Sequence, residues 1–117
     1  MKPILSALGL INALGSSKEE VLNHFLSGCA PGMQAQNNFW TGRVTATLPA
    51  VPKALTMFDC RNNRLLLAAL AQIQTEIDTA ITQYGAQRIA VVIGSSTSGI
   101  AEGEAALAEK LCNGTWS

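Results

Sequence analysis

Ile89 to Ile93 are five apolar residues in a row, without a polar break. Such a run, rich in β-branched residues, reads as a strand buried on both faces, the kind found in a mostly parallel sheet. Gly94 ends it and a loop of small residues, Ser95 to Gly99, follows. Ala101 to Leu111 then reads as a helix, with acids in its first turn and Lys110 in its last, as the helix dipole favours. Strand, small-residue loop and helix together let another group approach the backbone closely.

The rest of the chain supplies elements that alternate in type. Residues 3–9 read as a buried first strand. Lys2 and the apolar residues up to Gly15 loosely imitate a secretory leader, but Pro3, Gly9 and Asn12 interrupt it. A helix starts at Ser16 or Ser17, where Ser16 with Glu19, or Ser17 with Glu20, has capping-box spacing. Val21, Leu22, Phe25 and Leu26 share its apolar face and Gly28 stops it. Residues 29–38, with Pro31, Gly32 and two asparagines, read as a loop. Residues 39–48 alternate from Val44 onward, with Val44, Ala46 and Leu48 one way and Thr45 and Thr47 the other, the pattern of a half-buried strand or extended segment ended by Pro49 and Pro52. Residues 53–60 are a connector. Leu66, Leu70, Ile73, Ile77, Ile81 and Tyr84 then recur at steps of three and four, predicting one long helix over 61–84, closed by Gly85. Strands alternating with helices argue for a layered α/β domain.

Composition adds one constraint. The 117 residues make one domain at most, 48% of them hydrophobic and only 14% charged. An ordinary soluble domain carries about 25% charged residues, and a small one has more surface to clothe. Part of this surface is therefore expected to lie under a partner subunit or further chain. Eight basic residues cancel eight acidic ones, so no electrostatic footprint for nucleic acid is present. Cys29, Cys60 and Cys112 are odd in number and form no Cys-x-x-Cys pair, which fits a reducing cytoplasm better than a disulfide framework. The longest apolar run is too short to span a bilayer.

The loop at Gly94 invites sharper readings. Gly94 and Gly99 have the spacing of a phosphate-binding P-loop, but Ile100 and Ala101 stand where lysine and a hydroxyl residue belong. Gly94-x-Ser96 begins a nucleophile elbow, but Ser98 replaces its second glycine and no acid–histidine pair follows. The residues alone favour a tight strand-to-helix crossover. A small α/β domain holding a phosphorylated ligand at Gly94 to Gly99 is the competing reading, and a nucleotide titration without signal disposes of it. His24, on the exposed or flanking side of its helix, has no ligand partners at metal-binding spacing, so it reads as a structural or surface residue. No metal or cofactor is expected. None of the cysteines carries a nucleophile signature. Asn113-Gly-Thr115 matches a glycosylation acceptor, which matters only in a secreted protein. Asp59, Arg61 and Arg64 read as cap and surface charges.

Four segments in this order carry a resemblance: Gly9-Leu-Ile-Asn-Ala-Leu-Gly15, Lys18-Glu-Glu-Val-Leu-Asn-His-Phe-Leu-Ser-Gly28, Asp59-Cys-Arg-Asn-Asn-Arg-Leu-Leu-Leu-Ala-Ala-Leu70 and Arg88-Ile-Ala-Val-Val-Ile-Gly-Ser-Ser-Thr-Ser-Gly99. Together they resemble the β-ketoacyl-acyl-carrier-protein synthases, over nearly the whole chain. The resemblance is to the type that condenses malonyl units on an acyl carrier protein in fatty-acid, polyketide or aryl-polyene pathways. It implies the thiolase fold, a dimer of subunits each with two similar α/β halves stacked in five layers. Residues 1–117 would be the opening part of the first half, partnered by the remainder of the synthase or a second subunit and by acyl carrier protein. The family's nucleophile lies in a Thr-Ala-Cys-Ser-type motif well downstream, and its histidines and lysine come later still. No catalytic residue is therefore expected in this chain. What the resemblance does assign is a loop, Ser96, Thr97, Ser98 and Gly99, near the dimer interface and against the partner subunit's acyl pocket. The family often has an Ile-Gly pair where Thr97 and Ser98 stand, a departure that bears on acyl preference. A chain-length-factor-like subunit, which keeps the fold and lacks the nucleophile, is implied equally well.

Overall fold

The computed structural model describes residues 5–95 and 100–114, the side chain of Glu102 excepted. Their elements, in order, are helix α1 (Lys18–Ser27), strands β1 (Met33–Gln36) and β2 (Phe39–Gly42), a 3₁₀ turn (Lys53–Phe58), helices α2 (Arg61–Ala71) and α3 (Gln74–Tyr84), a second 3₁₀ turn (Ala86–Arg88) and helix α4 (Ile100–Asn113). The chain thus mixes helices with a small sheet.

The expected helices form because their signals are local. Ser17 caps α1, its hydroxyl accepting from the Glu20 N–H at 3.2 Å. Of the two capping-box alternatives the structure takes the second, with a variation. The Glu20 carboxylate accepts from the N–H and hydroxyl of Ser16 at 2.8 and 2.9 Å, one residue before the cap. Gly28 ends α1 with φ 67°, a left-handed conformation that only glycine adopts without strain. Gly85 follows α3, and α4 extends beyond its expected ends to Ile100 and Asn113.

The long helix predicted over 61–84 is broken. Residues 72 and 73 separate α2 from α3, with Ile73 at φ −124°, ψ 19°. At the break the chain is bonded to residues 56 and 62 positions away. The Gln72 side-chain amide accepts from the Leu10 N–H at 3.2 Å and donates to the carbonyls of Leu10 and Ser16 at 2.9 Å each. A helical stripe cannot register such a contact, because the stripe reports only which side of the helix is apolar.

The strand expectations fare differently. Residues 5–9 form no strand, and residues 3 and 4 lie outside the described residues. Instead Gly9 lies so close to α2 that any Cβ there would overlap the Ala69 carbonyl. Residues 89–93 do not form a strand either: Ile89 is extended at φ −104°, ψ 126°, but the segment has no ladder partner among the described residues. Residues 44–48 form no ladder, yet Val44, Ala46 and Leu48 are half-buried while Thr45 and Thr47 are exposed, as the alternation implied. The sheet that does form is a β1–β2 antiparallel hairpin, with Met33 opposite Gly42 and Gln36 opposite Phe39. The loop expected over 29–38 therefore contains its first strand. Asn37 and Asn38 turn it, at φ 47° and 69°, the two positive angles a two-residue hairpin turn requires.

No hydrophobic side chain among the described residues is buried. The accessible surface is 9517 Å², against about 6,100 Å² for a closed domain of this mass. The radius of gyration is 17.8 Å, against about 13 Å for a compact chain of this length. Much of the surface predicted to need covering is thus uncovered within this chain: Leu22, Phe25, Leu26, Val92 and Leu111 are exposed, while the α2 leucines are half-covered.

Candidate functional site

The segment leading to the predicted loop is tied to the start of α2. The Ser95 hydroxyl donates to Asn62 Oδ1 at 3.0 Å. Asn62 lies in the first turn of α2, and its three neighbours there also reach out of the helix, Arg61 to Val44 and the other two to adjoining residues Phe58 and Asp59. Arg61 donates to the Val44 carbonyl at 3.2 Å, holding the half-buried 44–48 segment. Asn63 donates to the Phe58 carbonyl at 2.7 Å, closing the 3₁₀ turn onto the helix. Arg64 pairs with Asp59 through two parallel bonds of 2.6 and 2.7 Å. The run Arg-Asn-Asn-Arg is thus a junction from which the surrounding segments are positioned.

Electrostatics at the junction follow from that fork. Hydrogen bonding to Arg64 holds the Asp59 carboxyl below the usual aspartate value and raises the Arg64 guanidinium. Both are solvent-exposed, so the pair is screened and positions more than it stabilises. An open cleft of about 310 Å³ lies beside it, lined by Ala46, Leu48, Asp59, Cys60, Arg61 and Arg64. Asp59, Arg61 and Arg64 thus act as the surface charges the sequence suggested, with the added work of tethering.

Ser96, Thr97, Ser98 and Gly99 lie outside the described residues. Gly94 and Ser95, immediately before them, are described and exposed. His24 is structural, as expected: its Nδ1 donates to the Leu14 carbonyl and so fastens α1 to the preceding segment. Cys29 and Cys112 are exposed, Cys60 is half-buried, and all three are free. Among the described residues no three His, Cys, Asp or Glu side chains converge on a point that would hold a metal. No helix among them is long and apolar enough to cross a membrane. Sequence reasoning missed the tethering by Asn62, Asn63 and Gln72. Two adjacent asparagines in the opening turn of a helix were the available signal, since asparagine favours bonds to nearby backbone over a helix interior.

No family model and no curated protein matches this chain. Among solved structures it is similar to a chain of "Ketosynthase (ApeO) in Complex with its Chain Length Factor (ApeC) from Xenorhabdus doucetiae", with 41% identity and a TM-score of 0.76. The match covers 94% of this chain and 30% of that one. At this identity and extent the resemblance to the ketosynthase family read from the four ordered segments is borne out. The chain is ketosynthase-like over nearly its whole length and corresponds to under a third of a ketosynthase-type subunit.

Proposed function

We propose that residues 1–117 form the N-terminal part of a β-ketoacyl-acyl-carrier-protein synthase-like domain of layered thiolase type. In this reading they contribute sheet core, subunit-interface surface and a wall of the acyl pocket, with Ser96, Thr97, Ser98 and Gly99 at that wall or interface. The reactive groups belong to the rest of the subunit. There an activated cysteine carries the acyl chain as a thioester. Malonyl carrier protein loses carbon dioxide, and the resulting enolate carbon attacks the thioester carbonyl. A carbon–carbon bond forms as the cysteine thiolate leaves, with histidines stabilising the enolate and the oxyanion. The partners are a second ketosynthase-like subunit and an acyl carrier protein, in the cytoplasm.

The observation that carries this reading is the 41% identity sustained over 94% of the chain. The uncovered apolar surface supports it, because a free-standing small domain of 117 residues would bury a core of its own. The test is acyl transfer to the complete parent subunit, paired with its partner and offered acyl carrier protein, followed by intact mass. An acyl adduct on the parent identifies an active synthase. An adduct on the partner alone identifies the chain-length-factor alternative, which the neighbouring complex supports equally. No adduct on either subunit overturns both. Residues 1–117 alone should not turn over, and condensation by that piece would refute the division of roles.

A further inference from the structure

Helices that break sharply do so at proline, at glycine or serine, at a π-bulge, or where a side chain or water disturbs the hydrogen-bond ladder. The stretch 61–84 contains no proline, glycine or serine, and its apolar residues keep steps of three and four from Leu66 to Tyr84. Yet α2 ends at Ala71 and α3 starts at Gln74. Between them the ladder tightens: the Gln72 N–H donates to the Ala69 carbonyl at 3.3 Å and the Ile73 N–H to the Leu70 carbonyl at 3.0 Å. Such a break has a cost. The amides of a helix's first turn have no intrahelical acceptors. In a continuous helix those of Gln74, Thr75 and Glu76 would donate to Leu70, Ala71 and Gln72. Ile73, which precedes α3, has no side-chain acceptor with which to cap it.

The compensation lies on Gln72. Its Oε1 accepts from the Leu10 N–H at 3.2 Å, and its Nε2 donates to the Leu10 and Ser16 carbonyls at 2.9 Å each. The carboxamide thus pairs with both backbone groups of Leu10, as a residue of a neighbouring strand would, and reaches Ser16 as well. We propose that Gln72 is a conformational latch: docking of residues 10–16 on its side chain holds α2 and α3 as two helices, and without that docking residues 61–84 form one. The three bonds lie within this chain, so they accompany it into the complete subunit. The latch is independent of any activity that subunit has.

The test uses the complete parent subunit in complex with its partner. Gln72→Leu removes all three bonds and leaves helix propensity nearly unchanged. Gln72→Glu keeps the acceptor for Leu10 but loses both donations, and it takes over should the leucine variant fail to fold. Hydrogen–deuterium exchange is followed in peptides spanning 10–16 and 74–76, and the crystal structure of the variant is solved. Loss of the docking bonds predicts exchange about 3- to 10-fold faster at 10–16. Closure of the break predicts the opposite sign at 74–76, about 3- to 10-fold slower, because those amides gain helical acceptors. The crystal should then show one helix from Arg61 to Tyr84. Simple destabilisation speeds exchange in both segments and cannot give opposite signs. Unchanged or faster exchange at 74–76, or a break retained in the crystal, overturns the proposal and assigns the break to packing by the rest of the subunit. None of these readouts depends on acyl transfer, so the latch and the ketosynthase reading stand or fall separately.

Discussion

The apolar stripe of α2 and α3 and the apolar run at 89–93 end up in opposite situations. Around α2 and α3 the chain is tied across long separations, Gln72 to Leu10 and Ser16 and Arg61 to Val44, and locally from Asn63 to Phe58. Leu66, Leu70, Ile73 and Ile77 are all half-covered as a result. The 89–95 segment is held at its ends, and Val92 between them is 91% exposed. The difference is one of bonding reach. A helix satisfies its backbone within itself and needs neighbours only for its side chains. A strand needs a neighbour even for its backbone. The first takes shape by itself, and the second only where a partner strand lies alongside, as β1 and β2 do for each other.

That contrast can be broken most directly by isolating the chain. Residues 1–117 alone should keep helical far-UV circular dichroism but melt without a cooperative transition and bind an apolar dye. The complete parent subunit should do neither. A sharp two-state melt of the isolated chain would erase the distinction between the regions.

The next largest effect lies where the N-terminal segment meets α2. In the parent subunit Gly9→Val forces a side chain into the Ala69 carbonyl and should cost about 1–3 kcal/mol in chemical denaturation. Gln72→Leu removes three bonds to Leu10 and Ser16 and should cost a comparable amount, about 1–3 kcal/mol, since it strands partly buried backbone groups. An α2–α3 unit independent of residues 9–16 would show neither loss. Ser17→Ala sharpens the comparison at its local end. Removing the α1 cap should cost about 1 kcal/mol, with no change in exchange at 89–95.

The smallest effect is that of pH. Asp59 titrates below its ordinary value of 3.8 because Arg64 hydrogen-bonds its charged form. A carboxylate whose folded value is depressed adds stability above the unfolded value and loses it as pH falls through the folded one. The start of α2 should therefore loosen only below about pH 4, where the carboxylate of an ordinary aspartate also protonates. Asp59→Asn should remove that acid-side dependence, read from the pH profile of the melting temperature. Persistence of the profile in Asp59→Asn would place its origin elsewhere, with Glu20 the other depressed carboxylate.

What could be read from the residues follows the same physics. The Ser17 cap, the Gly28 stop, the burial alternation of 44–48 and the structural role of His24 were legible because each depends on groups close in sequence. The hairpin is hidden from composition, because Asn37-Asn38 reads as loop and shows itself as a turn only through the positive φ of both residues. The break at Gln72 was illegible, since its partner Leu10 lies 62 residues away. The proposed pocket residues Ser96 to Gly99 came from the family resemblance, whereas their neighbour's anchor, Asn62, came only from the coordinates.

The sequence by itself determined that helices form, the cap and stop of α1, the family likeness and the need for cover, because capping, periodicity and composition act locally or in sum. Tertiary structure alone decided which segments meet. It broke one predicted helix into two, paired 33–36 with 39–42, and left the most apolar stretch unpaired. Hydrogen bonds between distant residues leave no periodic trace in a chain, and a strand's partner is never written in the strand.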